Sequence, residues 1–211
     1  MPEITSLEKI KRQKNWFELM LDNAVSFPVN DELILKYALR KGRQLLPGEI
    51  KEIRESGEYK FLQKKAFDAL SRRRLSEKEL RRKLKQAPHS AKYIDRLIED
   101  FQKLGLINDP DYAAAVIHTL QAGGAISRRY IRGKLYQKGI AEGISEQAIE
   151  NELADYDETE AALKIAQKKF KTVKDLPVLK AKKRIADFLA GRGFNWDDIS
   201  YALDKLFKGD D

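Results

Sequence analysis

One kind of helix start recurs four times after residue 70: a polar capping residue with an apolar residue just before it and another four positions into the helix. Leu75-Ser76 leads to Leu80, Ile126-Ser127 to Ile131, Ile144-Ser145 to Ile149, and Phe194-Asn195 to Ile199. This hydrophobic staple fixes the angle at which a chain enters a helix, and Glu79 would complete a capping box with Ser76. The helices that follow also match, as Leu80-Arg-Arg-Lys-Leu84, Ile131-Arg-Gly-Lys-Leu135 and Ile185-Ala-Asp-Phe-Leu189, 51 and 54 residues apart. Two of them stop alike, in Lys138-Gly139-Ile140 and Arg192-Gly193-Phe194, where glycine can adopt the left-handed conformation. A period near fifty residues built from helices predicts a tandem helical array.

Apolar spacing divides each period into three helices. The first unit uses Ala66, Phe67 and Leu70, then Leu80 and Leu84, then Ile94, Leu97, Ile98, Phe101 and Leu104, and Gly105 closes it. The second opens on Asp109 as cap with Pro110 at the first helical position, and would bury Tyr112, Val116, Ile117, Leu120, Ile131, Leu135, Ile149 and Leu153. The third would bury Ala162, Ile165 and Ala166, then Val178, Ile185 and Leu189, then Ile199, Ala202, Leu203 and Leu206.

The texture before residue 60 is different. Ile4 to Ile10 and Trp16 to Leu21 carry strand-like residues, Asp22-Asn23 can turn, and Ala24 to Val29 can return, which predicts a small β-hairpin with Pro28 on an edge strand. A helix capped by Asp31 and stopped by Gly42 follows, then a short one from Pro47 through Ile53. The expected fold is therefore mainly α: an elongated array of three tandem three-helix repeats (59–107, 108–156 and 157–211) behind an N-terminal hairpin and short-helix extension (1–58).

Composition narrows the function. Cysteine is absent and only two histidines occur, His89 and His118, in different units, so no thiolate or histidine metal site is expected and both are read as ordinary surface or core residues. The first residues lack the apolar core of a signal peptide, and no run of roughly 18 apolar residues occurs, so a cytoplasmic protein without a membrane role is expected. The net charge of +8 is uneven. Residues 1–60 hold 11 Lys+Arg against 10 Asp+Glu, 61–107 hold 13 against 6, 108–157 hold 5 against 8, and 158–211 hold 12 against 9. A basic field of this kind attracts anionic partners at the surface that carries the excess.

The segment Leu70-Ser-Arg-Arg-Arg-Leu-Ser-Glu-Lys-Glu-Leu-Arg-Arg-Lys-Leu84 resembles the first-repeat signature of the RecX family. Phe101-Gln-Lys-Leu-Gly-Leu-Ile-Asn-Asp109 with Tyr112, the stretch Ile131 to Ile140, and Phe188-Leu-Ala-Gly-Arg-Gly-Phe194 resemble its later signatures in the same order. Leu19-Met-Leu-Asp22, Asp31 and Leu39-Arg-Lys-Gly42 are similar to an extension found in longer members, with Asn23 where glycine is common. The resemblance implies a monomeric, non-enzymatic regulator, without cofactor, that binds RecA or its filament on single-stranded DNA and modulates recombinase, ATPase and coprotease activity.

Arg72, Arg73 and Arg74, followed by Arg81, Arg82 and Lys85, are the foremost candidates for contact with the filament, since arginine forks suit carboxylates and phosphates alike. Positions 81, 82 and 85 lie opposite Leu80 and Leu84 on a helix, so they can face solvent; a merely solvated charged face is the competing reading. Arg128, Arg129, Arg132 and Lys138 form a second patch in a net-acidic segment, and Lys180, Lys182, Lys183, Arg184 and Arg192 a third, for which the solvated-face reading is stronger. Tyr93, Tyr130 and Tyr136 lie near cations and could stack on bases, whereas Phe67, Phe101, Phe170, Phe188, Phe194 and Trp196 read as packing residues.

No phosphate loop, nucleophile elbow or H-E-x-x-H motif occurs, and Pro110-Asp111, which resembles the start of a nuclease carboxylate motif, lacks a following acidic-x-lysine partner. The closer alternative is a DNA-binding module of helix-turn-helix-like units with the Arg81 helix as recognition helix. The charge distribution predicts only weak, salt-sensitive binding to naked DNA.

Overall fold

Apolar residues two apart build the N-terminal sheet. The structure, a computed structural model, describes residues 1–87 and 91–207. Strands β1 (Ile4–Lys9), β2 (Trp16–Leu21) and β3 (Ser26–Asn30) pair antiparallel in the order β1-β2-β3, so the expected hairpin is a three-stranded meander. Leu19 and Leu21 on β2, with Phe27 and Val29 on β3, are buried on one face. Pro28 sits opposite Glu18 on the outer strand β3, where its missing N–H breaks no ladder bond on the open side. The left-handed residue of the β2–β3 turn is Ala24, at φ 60°, and not Asp22 or Asn23.

Helix α1 (Asp31–Lys36) is shorter than its apolar spacing suggested. Its cap is Asn30, whose side chain accepts from the Leu33 N–H at 3.1 Å, and not Asp31. The left-handed residue that stops it is Ala38 (φ 46°), not Gly42: Ala38 N–H bonds to Leu35 C=O at 3.2 Å and Leu39 N–H bonds to Ile34 C=O at 2.9 Å, a Schellman closure.

Helix α2 (Pro47–Leu70) is a single helix of 24 residues, where a short one through Ile53 was expected. Pro47 opens it, and the Leu46 N–H donates to the Glu49 carboxylate at 2.9 Å. Its first half contributes Ile53 to a core with Ile4, Leu19, Phe27, Leu33 and Leu45; its second half contributes Leu62 and Ala66 to a core with Leu80, Leu84, Leu97 and Phe101. The change of texture near residue 60 is thus a change of packing partner along one helix. Gly57 makes the first contact possible, since a Cβ there would stand 2.0 Å from the Pro28 carbonyl oxygen.

Two compact units result, Met1–Leu75 with Glu79–Ile107, and Ser76–Lys78 with the chain from Asn108 onward. The first is completed by α3 (Glu77–Leu84), a 3₁₀ turn (Ala91–Tyr93) and α4 (Ile94–Lys103). Tyr59 on α2 donates to Asp100 on α4, and Glu58, 3% exposed, is held by Arg54 at 2.8 Å and Lys92 at 3.4 Å.

The second unit contains α5 (Asp109–Ala122), α6 (Arg128–Lys138) and α7 (Glu142–Glu152) around Ile117, Ile131, Leu135 and Ile149, then α8 (Glu158–Phe170), α9 (Val178–Gly191) and α10 (Trp196–Phe207) around Ala162, Ile185, Leu189 and Ile199. The matched pairs of the three middle helices, Leu80 and Leu84, Ile131 and Leu135, Ile185 and Leu189, are each at most 1% exposed. Each three-helix group therefore centres its core on the same two positions. Three glycine stops share one geometry: Gly105, Gly139 and Gly193 are left-handed (φ 68°, 79° and 83°), and the next N–H bonds back to Phe101, Leu135 and Leu189 at 2.9, 3.1 and 3.3 Å.

Several local expectations fail. Asn108, not Asp109, caps α5, its side chain accepting from the Asp111 N–H at 3.1 Å. Ser145 is no cap: α7 begins at Glu142 behind Ala141, which leaves Ser145 buried one turn inside. Phe67, Leu104, Val178 and Trp196 were expected to pack inside, yet they are 49%, 70%, 47% and 68% exposed. Leu104, Val178 and Trp196 stand at helix ends, where the periodicity that aims a side chain inward begins or runs out. Phe67 is one step round the helix from Ala66, and its ring leans on Phe101 at 4.9 Å.

Candidate interaction surface

In the first unit the arginines between α2 and α3 divide into two sets. Arg73 makes a bidentate pair with the largely buried Glu79 carboxylate, both bonds 3.0 Å, and Arg81 pairs with Asp95 at 2.5 Å. Arg72, Arg74, Arg82 and Lys85 are exposed and make no ion pair among the described residues. The buried pair Leu80 and Leu84 turns the opposite side of α3 outward, which is why Arg82 and Lys85 face solvent. These cations can accept a carboxylate or phosphate without first giving up a partner, whereas Arg73 and Arg81 serve to hold the turn and α3 in place.

The second patch divides in the same way. Ser127 caps α6, accepting from the Tyr130 N–H at 3.0 Å, and its neighbour Arg128 is turned inward. One Arg128 guanidinium nitrogen donates to the Leu153 carbonyl at 2.7 Å and the Tyr156 carbonyl at 3.0 Å, satisfying groups at the end of α7, while the Arg128 backbone N–H donates to Glu158. Tyr156 returns the contact, donating to Ile126 C=O at 2.9 Å, and burial pushes its hydroxyl pKa up. Arg132 pairs with Glu146 at 2.8 Å; that hydrogen bond raises the pKa of Arg132 and lowers that of Glu146. Arg129 is exposed and free of any ion pair among the described residues, and Lys138 is half-buried at the end of α6.

Arg129 lies with Gly133, Tyr136 and Ile140 in an open cleft between α6 and α7. Tyr136 is 78% exposed, so among the three tyrosines near cations it is the one that offers a ring to a partner. Tyr93 packs edge-on against Tyr59 with its hydroxyl buried, and Tyr130 is half-buried under Lys134. In the third patch Lys180, Lys183 and Arg184 are exposed, Lys182 lies over Phe207, and Arg192 donates to the Ala125 carbonyl at 3.2 Å, tying α9 to the loop before α6. His118 pairs with Glu152 at 2.8 Å, and His89 lies outside the described residues. No cluster of His, Asp and Glu among the described residues could hold a metal, and no helix among them is long and apolar enough to cross a membrane.

Sequence reading missed a group of cations in the front segment, where overall charge is balanced. Lys9 at the end of β1 and Lys11, Arg12 and Lys14 in the β1–β2 connection crowd together, and Ile10 and Gln13 from that connection line one groove with Lys65, Arg72 and Lys83. The signal was present as four cations in six residues, but averaging over residues 1–60 hid it.

Two family models match the helical part: the second three-helix domain of RecX over residues 108–149 and the third over residues 155–203. The chain is 29% identical over 208 residues to the regulatory protein RecX of Clostridium acetobutylicum, covering 97% of this chain and 96% of that one. It is 30% identical over 205 residues to the regulatory protein RecX of Streptococcus pneumoniae, covering 97% of this chain and 77% of that one. Among solved structures, one described as regulatory protein RecX shares the fold at a TM-score of 0.62 and 24% identity, with 99% of both chains covered. RecX from Lactobacillus salivarius aligns at a TM-score of 0.61 and 25% identity over 72% of this chain and 97% of that one. The glycine-stopped three-helix groups, the sheet that precedes them and the near full-length likeness to these proteins together make this chain a member of the RecX family of regulatory proteins.

Proposed function

We propose that this protein is a non-enzymatic cytoplasmic regulator that binds RecA, chiefly as the filament on single-stranded DNA, and restrains its recombinase, ATPase and coprotease activities. Membership of a regulatory family over nearly the whole chain carries the reading. Exposed cations that make no ion pair among the described residues, Arg72, Arg74, Arg82 and Lys85 in the first unit and Arg129 in the second, support it, because a filament is protein wrapped around a phosphate-rich strand. The ion pairs of Arg73, Arg81 and Arg132, and the inward bonds of Arg128, leave those side chains a structural part, each within its own unit.

The test is a pull-down with RecA filaments and naked single strand at matched salt. Filament binding should persist at moderate salt while binding to the naked strand falls steeply. Equal affinity for both across the salt range would favour the second reading, a DNA-binding array of three-helix modules, for which the exposed Arg82 on α3 and Lys85 just beyond it are the supporting observation.

A further inference from the structure

Two glycines stand well inside helices, Gly57 in α2 and Gly133 in α6. Glycine in such a place destabilises a helix relative to alanine. For Gly57 the fold supplies the reason, the Pro28 carbonyl against its Cα. For Gly133 it supplies none: five residues of α6 stand on either side, and an added Cβ would meet nothing within 4 Å. The bare backbone that admits Pro28 at one site faces open space at the other. Gly133 is also the low point between two hollows. One is the cleft of about 730 Å³ between α6 and α7; the other is a depression of about 360 Å³ between α6 and the turn from α9 to α10; Arg129 and Gly133 line both. Arg129, Gly133 and Tyr136 follow one another at i, i+4 and i+7 along one face of α6, and all three are exposed. A trough therefore crosses α6 at Gly133, between an arginine with no ion pair among the described residues and an open aromatic ring.

We propose that this trough seats a segment of RecA protein, with an apolar side chain over Gly133 against the Tyr136 ring and a carboxylate on Arg129. The proposal rests on the RecA reading of the chain and adds where, and by what chemistry, the second unit takes part. Charge selects protein over nucleic acid here. The cations around the cleft, Lys78, Arg129 and Arg132, are answered by Glu142 and Glu146, Arg132 through its pair with Glu146, and residues 108–157 hold 5 Lys+Arg against 8 Asp+Glu. A phosphate strand laid there would meet two carboxylates, whereas one acidic side chain beside an apolar one matches a single free arginine and a single free ring. Shape agrees, because a helix without a side chain at the crossing point lets another chain approach its backbone closely.

The experiment measures affinity of the full chain for RecA filaments and for naked single strand across a salt series. Gly133→Leu and Tyr136→Ala should each weaken filament binding about tenfold. Neither changes charge, so the salt slope and the affinity for naked strand should stay those of the parent. Gly133→Leu should melt no lower than the parent, because the helix loses a glycine and the new side chain has open space to enter. Should it melt lower, Gly133→Ala supplies a smaller filler, with a smaller loss of binding in the same direction. Tyr136→Phe should bind as the parent does, since the ring and not the hydroxyl makes the contact. The control is Gly143→Leu, at an exposed glycine of α7 that also has nothing within 4 Å and lies outside the trough; it should stay within about twofold of the parent. Parent-like filament binding by Gly133→Leu would overturn the proposal, as would an equal loss from Gly143→Leu. A parallel loss on naked strand would overturn it too, by placing DNA in the trough. A parent chain that fails to bind filaments would remove the RecA reading and this proposal together, whereas parent-like variants of a binding parent would remove this proposal alone.

Discussion

Both units divide their arginines between internal bonds and solvent, but in different proportions. In the first, Arg72, Arg74 and Arg82 are exposed and carry no ion pair among the described residues, while Arg73 and Arg81 beside them are paired. In the second, the comparable run is mostly spent inside: Arg128 caps the end of α7, Arg132 is matched to Glu146, and Arg192 bonds to the Ala125 carbonyl. A guanidinium that satisfies buried carbonyls stabilises the fold and is no longer offered to a partner, whereas a solvated one adds little stability and costs little to redirect. Counting cations along the chain cannot separate the two kinds; their partners do.

That contrast can be broken by mutation, starting where the largest change is expected. Arg128→Ala removes donors from the Leu153 and Tyr156 carbonyls and should cost about 2–4 kcal/mol, read as a fall in melting temperature. A melt unchanged by that substitution would mean the inward bonds contribute nothing, and the division between units would collapse. Gly193→Ala comes next, at about 1–3 kcal/mol. Its φ of 83° disfavours a side chain, and a Cβ would stand 2.5 Å from Ser127 Oγ and 2.9 Å from Tyr130 Cβ, where α9 and α6 meet inside the second unit.

A smaller effect lies in the first unit. Tyr59→Phe breaks the bond to Asp100 and should cost about 1 kcal/mol by denaturant melt. Burial, with the Asp100 hydrogen bond second, pushes the Tyr59 pKa up to about 12 from an ordinary 10.0. The folded state therefore holds this proton more tightly than the unfolded chain. Stability from Tyr59 is fully present below pH about 10 and declines as pH rises from there through about 12. Ultraviolet titration should show Tyr59, with Tyr93 and Tyr156, ionising later than the exposed tyrosines, and the Phe variant should lose one residue's share of that late absorbance change.

The smallest stability change is expected for Arg72→Glu with Arg82→Glu, within about 0.5 kcal/mol of the parent, because both side chains are solvated. The same variant should weaken inhibition of RecA-driven ATP hydrolysis. A drop in melting temperature matching that of Arg128→Ala would erase the contrast between units, and full inhibition by a folded variant would move the contact to another surface. Arg73 is a poor choice for this test, since a glutamate there would face Glu79.

Much of the fold could be read from the chain. The staples at Ser127 and Asn195, the glycine stops, and the matched pairs Leu80 and Leu84, Ile131 and Leu135, Ile185 and Leu189 are local or short-period signals, and the structure realises them. Where it departed, a longer-range contact had overridden a local pattern. Ser145 has an apolar neighbour on either side at staple spacing, yet Ala141 already begins the helix and Ser145 is buried within it. A short helix from Pro47 through Ile53 was expected, but Gly57 lets α2 approach the Pro28 carbonyl closely and the helix runs on to Leu70.

For the surface, residue types were legible and their employment was not. The sequence by itself determined a three-helix period, a basic excess between residues 61 and 107, and a family, because these depend on spacing and composition along the chain. Tertiary structure decided which arginines remain available, since an ion pair such as Arg73 with Glu79 or a cap such as Arg128 on Leu153 depends on separation in space. It also brought Ile10 and Gln13 of the front segment beside Arg72 and Lys83, because only folding places the β1–β2 connection against the end of a helix some fifty residues later.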